Sequence, residues 1–416
     1  MLETLIGLLA GVLAALFVSS RPKVALSLWL AVFAFIPFWQ GITSPAYLPP
    51  SSLAGLIVIA ACFRGSKWKP NGYDYLAIFI AVLAAMTALG GVGRPGDVTN
   101  VVTQWFVSFV VGRLLAKRCG LKFTYSAIAI VLSVGAVGAA IEYFTGFNPY
   151  YLWDADNSQY AAWGHSQERG GVVRSEWAFG HSIALGCTMA MTVPIAWYSE
   201  ISVRLKLLCI TLLSVGAIVS FSRSAMVTLV IAVAICIILG KGVGSGPRVA
   251  LSLVAIVGAW FFAPRVSEFF RQGAESNAVS AGYRQELNSL IEYMNPIGLA
   301  DGYREPAPGV YSFHGYESID STYIFVGVSF GWIASLVLLA GSALLWIRVL
   351  SRRGSPADVA VAVVLPALFT VALITQFGSY IWFVIGVAGS AYEVGLSRSF
   401  RRTAVTRLSY PVDKKP

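Results

Sequence analysis

The stretch Ile218–Val230, IVSFSRSAMVTLV, carries one full charge, Arg223, which is also the only one between Leu207 and Gly240. A charge at membrane depth is costly and usually serves a site. A planar guanidinium forks onto phosphate oxygens, so the chemistry open to such a residue is anion binding. Two further arginines stand in comparable places. Arg174 follows an aromatic and polar stretch and sits just before an apolar run. Arg284 falls in the first turn of a helix predicted to begin at Ser280 and to stop at Pro296. The ordinary explanation for Arg284 is a solvated charge, and for Arg265, Arg271 and Arg304 it is structural ion pairing. Acids surround these arginines, among them Glu142, Glu168, Glu176, Glu286, Glu305, Glu317 and Asp320.

Metal chemistry has little to build on. The cysteines, Cys62, Cys119, Cys187, Cys209 and Cys236, are odd in number and form no CxxC pair. The histidines, His165, His181 and His314, lack the HExxH spacing. Neither a disulfide framework nor a zinc site is expected, and no cofactor.

The elements that hold these residues follow from composition. Of 416 residues, 57% are hydrophobic and 12% charged, with a mean hydropathy of +0.71. Soluble domains carry about 25% charged residues. The expected fold is therefore all-α, a polytopic transmembrane helical bundle forming one integral membrane domain over residues 1–416. Thirteen apolar spans are predicted near 4–20, 24–40, 52–63, 73–91, 101–117, 124–145, 180–198, 206–221, 224–240, 248–263, 320–348, 357–376 and 379–396. A count lower by one would put the N-terminus on the cytoplasmic side. Leu207–Gly240 is too long for one crossing of a core about 30 Å thick, so two spans meet near SFSRSA. No internal repeat is visible.

Alternate connections and the tail, residues 397–416, hold 22 of the 30 basic residues. That side is expected to be cytoplasmic. The net charge of +10 is read as this bias, and no nucleic-acid partner is expected. Arg174, Arg223, Arg284 and Asp320 then face outward, as do two long loops, 146–179 and 264–319. The second loop carries Tyr283, Leu287, Leu290, Ile291 and Met294 at helical spacing, an amphipathic helix lying on the membrane or covering a cavity. The first is rich in tyrosine and tryptophan, rings that line membrane interfaces and also stack on sugars.

Four of these segments, in order, resemble the O-antigen ligase/polymerase superfamily of bacterial surface-polysaccharide membrane glycosyltransferases. They are RSEWAFGHSIALG from Arg174, SFSRSAM around Arg223, YRQELNSLIEYMNPIGLADG from Tyr283, and DSTYIFVGVSFGWIA from Asp320. The resemblance covers about Arg174 to Ala340. Asp320 stands where ligases of the family carry histidine, Ala334 replaces a glycine, and Ser-Ile follows His181 where the family has Pro-Asn. The resemblance implies a GT-C-like bundle at the outer face of the cytoplasmic membrane. It implies metal-free transfer from a polyprenyl diphosphate-linked glycan donor to a glycan acceptor, with membrane lipid and a chain-length regulator as further partners. It assigns Arg223 and Arg284 to the diphosphate, with Arg174 beside them and His181 in the same region. Asp320 becomes the first choice for orienting or deprotonating the acceptor hydroxyl, with His314 and Glu317 as substitutes and a helix N-cap as its structural alternative. The missing histidine favours the polymerase over the ligase, which moves finished glycan to an acceptor. A shape-and-division peptidoglycan polymerase would also use an outer-loop aspartate. A lipid-linked oligosaccharide transporter is the other class, but such proteins carry charges within their spans and often inverted repeats.

Overall fold

The computed structural model describes residues 19–43, 46–63, 68–169, 172–239, 282–283, 285–307 and 310–408, with single residues at 246 and 249. The chain is mostly helical. In order come α1 (Pro22–Phe35), α2 (Pro50–Cys62), α3 (Gly72–Leu89), α4 (Pro95–Cys119), α5 (Leu121–Thr145), the short α6 (Ser158–Trp163), α7 (Ser182–Tyr198), α8 (Val203–Val219), α9 (Arg223–Leu239), α10 (Thr322–Phe330), α11 (Trp332–Leu350), α12 (Pro356–Val364) and α13 (Thr375–Leu408). Two antiparallel pairs complete it: β1 (Glu168–Arg169) with β2 (Val172–Val173), and β3 (Tyr303–Ala307) with β4 (Val310–Phe313). Among the described residues α3, α4, α5 and α11 are long and apolar enough to cross a membrane.

Local signals start these helices. Asn71 and Asp74 form a reciprocal capping box at α3, and Ser355 and Asp358 do so at α12. Proline opens α1, α2 and α4, where its missing N–H costs nothing. Packing decides the rest. Every residue of α7 from Ala184 to Trp197 is buried, among α5, α8, α9, α12 and α13. Helices α4 and α13 approach through reciprocal glycines. A Cβ on Gly112 would stand 2.1 Å from the Phe383 carbonyl oxygen, and one on Gly386 2.1 Å from that of Phe109. Small residues permit such backbone contact. Gly112→Val should therefore push the two helices apart at a cost of about 3 kcal/mol, the upper end for overpacking. A lowered thermal midpoint of the purified protein is the expected reading.

Contacts sort to two ends. At one, Arg113 pairs with Asp74 at 3.1 Å and Glu393 at 3.0 Å, Lys117 reaches Glu393 at 2.6 Å, and Lys122 reaches Glu200. All belong to the basic set of connections. At the other, Trp39 Nε1 donates to the Trp153 carbonyl, Leu299 N to that of Val92, and Gln376 Nε2 to that of Ala178. All belong to the opposite set.

The structure corrects several expected elements. The stretch 320–348 is not one span: Gly331, at φ +100°, breaks it into α10 and α11, since a Cβ there would meet the Pro296 carbonyl oxygen at 2.3 Å. Helix α1 ends at Phe35 rather than near 40. Helix α12 passes into 3₁₀ geometry over Leu365–Phe369, short of 376. Helix α4 starts at Pro95, before the expected 101, through a π-helical stretch Val101–Phe106. Helix α13 runs past 396 into the basic tail as far as Leu408. The amphipathic helix of the second loop continues as a 3₁₀ turn, Asn288–Tyr293, with Leu287 and Leu290 buried but Ile291 exposed. The spans expected at 4–20 and 248–263 lie outside the described residues, save Ser19, Ser20 and Val249, as do Ser280 and Arg284.

Candidate functional site

The segment before α7 is fixed to two neighbouring helices. Ser175 N donates to the Val219 carbonyl at 3.2 Å, and its hydroxyl donates to that of Ala139 at 2.8 Å. Arg174, almost fully buried, donates from Nε to the Ser220 carbonyl at 3.2 Å. Ser220 lies in the tight turn between α8 and α9. Phe221 holds φ +45° in that turn, and the Ser222 hydroxyl caps α9 by accepting from Ala225 N at 3.3 Å. Arg223 opens α9. The two expected spans thus meet at SFSRSA, and Arg174 and Arg223 flank one turn. A bulky residue at positive φ costs about 1–3 kcal/mol and persists only where its surroundings impose it. Trp177, Phe221 and Thr375 are all of this kind, and all lie at this end.

His181 caps α7. Its Nδ1 accepts from Ile183 N at 3.1 Å, so that nitrogen holds no proton. Trp163 meets the ring edge-on at 5.6 Å.

Asp320 sits at the foot of α10. Its structural alternative goes to its neighbour: the Ser321 hydroxyl caps the helix by accepting from Ile324 N, while the Asp320 carboxylate accepts from the Ser318 hydroxyl at 3.1 Å. Asp320 is therefore not the N-cap. Helix α10 runs back from it toward the rim, where the Phe330 and Val328 carbonyls accept from Gly298 N and Ala300 N. Nine residues give α10 a length of about 13 Å. Thr322 N donates to the Val371 carbonyl, just before α13, and α13 packs at Gly378 against Trp105, ten residues or about 15 Å along α4 from Pro95. The stretch 371–376 touches both groups, taking Thr322 at Val371 and reaching Ala178 through Gln376.

The other expected residues are less gathered. Glu317 is exposed. His314 is exposed too, with φ +49°; it follows β4 and its ring stacks on Tyr293 of the 3₁₀ turn at 3.7 Å, away from Asp320. Arg284 is outside the described residues. Its neighbour Tyr283 donates its hydroxyl to the Ser318 carbonyl, two residues from Asp320.

Sequence reasoning missed two buried carboxylates that hold the segment. Glu142, near the end of α5, accepts from Trp177 N at 2.6 Å, Glu176 N at 3.0 Å and Asn148 Nδ2 at 2.8 Å. Glu176 is fully buried; one oxygen accepts from the Tyr151 hydroxyl at 3.2 Å and the other, Oε1, has no hydrogen-bond partner. The signal was available, since Glu142 is an acid inside an apolar run. Burial, then the charge of Glu142, pushes the Glu176 carboxyl from 4.5 up to about 8. The folded protein then holds a proton there that the unfolded chain releases. Stability is full below about pH 4.5 and falls as pH rises toward 8. Glu176→Gln should flatten that slope in thermal unfolding measured across this range.

No protein-family model matches the chain, and no curated protein matches it.

Chemically, the arrangement joins two arginines at one turn, a histidine whose Nε2 is not used in capping α7, and a carboxylate just before α10, a helix linked to them through 371–376. That combination suits an anionic group on one side and a proton acceptor on the other. Among the described residues no three or more His, Cys, Asp or Glu are grouped as metal ligands.

Proposed function

We propose that the chain is a multi-pass membrane glycosyltransferase of the cytoplasmic membrane. In this reading it polymerises polyprenyl diphosphate-linked oligosaccharide repeat units into a surface polysaccharide at the outer face. The observation that carries the reading is Arg174 bound to the carbonyl of the turn that Arg223 follows, in a segment tied through residues 371–376 to the start of α10 beside Asp320. The sorting of contacts to a basic end and an opposite end supports the membrane part. The reaction forms a bond from the acceptor hydroxyl oxygen to the anomeric carbon and breaks the bond from that carbon to the diphosphate. Arg174, Arg223 and Arg284 offset the charge gathering on the leaving diphosphate, most strongly where water is excluded. Asp320 takes the hydroxyl proton. His181 contributes its Nε2–H to the bound donor, and His314 and Glu317 stand at the glycan side.

The test is the size distribution of carrier-linked and surface glycan in cells lacking the protein, complemented with wild type or Arg223→Ala. Single repeat units on the carrier, extended only by wild type, support a polymerase. Long chains retained on the carrier and absent from the surface point to a ligase. Unchanged glycan would leave the transporter reading and remove the enzyme.

A further inference from the structure

Arg174 shares its corner of the fold with the buried carboxyls of Glu142 and Glu176, and the two carboxyls are not equivalent. Glu142 Oε2 accepts from two successive backbone N–H groups, those of Glu176 and Trp177, and Oε1 accepts from the Asn148 amide. Trp177 holds φ +48° where the two N–H groups meet that oxygen. Hydrogen bonds of this kind favour the ionised form, so the negative charge stays on Glu142. Glu176 accepts from the Tyr151 hydroxyl, and its other oxygen, Oε1, is buried without a hydrogen-bond partner. Two like charges buried side by side repel, so the proton that the pair retains sits on Glu176.

The charges that face Glu176 oppose one another. Glu142 bears on it from α5, Tyr151 from the first loop, and Arg174 from two residues before. His181, at the foot of α7, is neutral, because its Nδ1 accepts from Ile183 N. Arg223 follows the Ser220–Ser222 turn, whose first carbonyl accepts from Arg174 Nε. The charge of Glu142 holds the proton on Glu176, and the charge of Arg174 works to remove it. An anion seated on Arg174 cancels the second effect and adds a like charge of its own.

We infer that Glu176 is a positioning residue for Arg174: an anion of the phosphate class binds there with the Glu176 carboxyl protonated, and an ionised Glu176 competes with the anion for the guanidinium. The inference deepens the assignment of Arg174 to the diphosphate and rests on that reading for the identity of the anion. Below about pH 8 the proton is already in place. Above it, binding must draw one proton from solvent, and affinity falls by up to about tenfold per pH unit.

The test is calorimetric titration of the full-length protein in lipid nanodiscs with farnesyl diphosphate, from about pH 7.5 to about 9.5, where the diphosphate of the probe is fully ionised. Wild type should lose about tenfold in affinity between about pH 8 and 9.5. Near pH 9, binding should take up close to one proton, read from two buffers of different ionisation enthalpy. Glu176→Gln should show neither the fall nor the uptake. Tyr151→Phe removes a hydroxyl that favours the ionised form, so its fall should begin at higher pH; it stands in if Glu176→Gln fails to fold. The wild-type slope persisting in Glu176→Gln, or a fall no later in Tyr151→Phe, would overturn the inference. So would a probe that binds at no pH, which would remove the anion site as well. Binding without any slope would remove the coupling and leave the anion site. Binding with the slope, in a protein that extends no glycan, would instead sink the polymerase and leave the coupling standing.

Discussion

Replacing Arg223 with alanine is expected to halt chain extension while the protein still folds and inserts. The residue opens α9, and the Ser222 hydroxyl, not Arg223, caps that helix. Transition-state charge on the departing diphosphate loses a fixed cationic donor. Removing one such donor from a preorganised site costs roughly a hundred- to a thousand-fold in rate. Arg223→Lys keeps the charge but not the fork and should recover only part of the loss. Asp320→Asn should be inactive as well, with folding intact, because Ser321 rather than Asp320 caps α10. Repeat-unit extension in membranes, normalised to inserted protein, measures all three. An active Asp320→Asn variant would end the base assignment, and an active Arg223→Ala variant would return that arginine to a structural role.

The second large effect lies at the opposite end and concerns stability. Arg113 is 1% exposed, as is Asp74. The guanidinium reaches both Asp74 oxygens, the Ser390 hydroxyl and the Lys69 carbonyl, and pairs with Glu393, so α3, α4 and α13 share one charge. Removing one partner of such a buried pair leaves the other uncompensated, at about 3–5 kcal/mol. Arg113→Ala should accordingly lower the thermal midpoint more than any surface arginine substitution, with Arg204→Ala as the control. Asp74→Asn should cost less than Arg113→Ala, since its amide keeps one acceptor for the capping hydrogen bond to Asn71. Equal midpoints for Arg113→Ala and Arg204→Ala would show that the network contributes nothing.

Much of the layout was legible without coordinates. The apolar runs predicted the helices, because a segment hydrophobic all round has few other places to go. The break at SFSRSA followed from length alone. The alternation of basic and non-basic connections anticipated which loops would meet, since charged residues gather where the chain turns. What the sequence could not carry was depth and kink. Gly331 reads as one small residue in a long apolar run; only the approach of the Pro296 carbonyl makes it a breakpoint and turns a single span into α10 and α11. Asp320 therefore lies just before a short separate helix rather than at the start of one long span.

The site divides the same way. Arginine at an apolar boundary announced itself, because charge there is costly. Glu142 stood out as an acid in an apolar run, but its role, like those of Glu176 and Gln376, rests on partners as far as 343 residues away. Composition and periodicity settled what kind of elements this chain forms and which arginines were out of place. Tertiary structure alone settled that Arg174 and Arg223 flank one turn and that His314 follows a hairpin. Backbone carbonyls, buried carboxylates and glycine contacts fix those relations, and these are long-range pairings that no local pattern encodes.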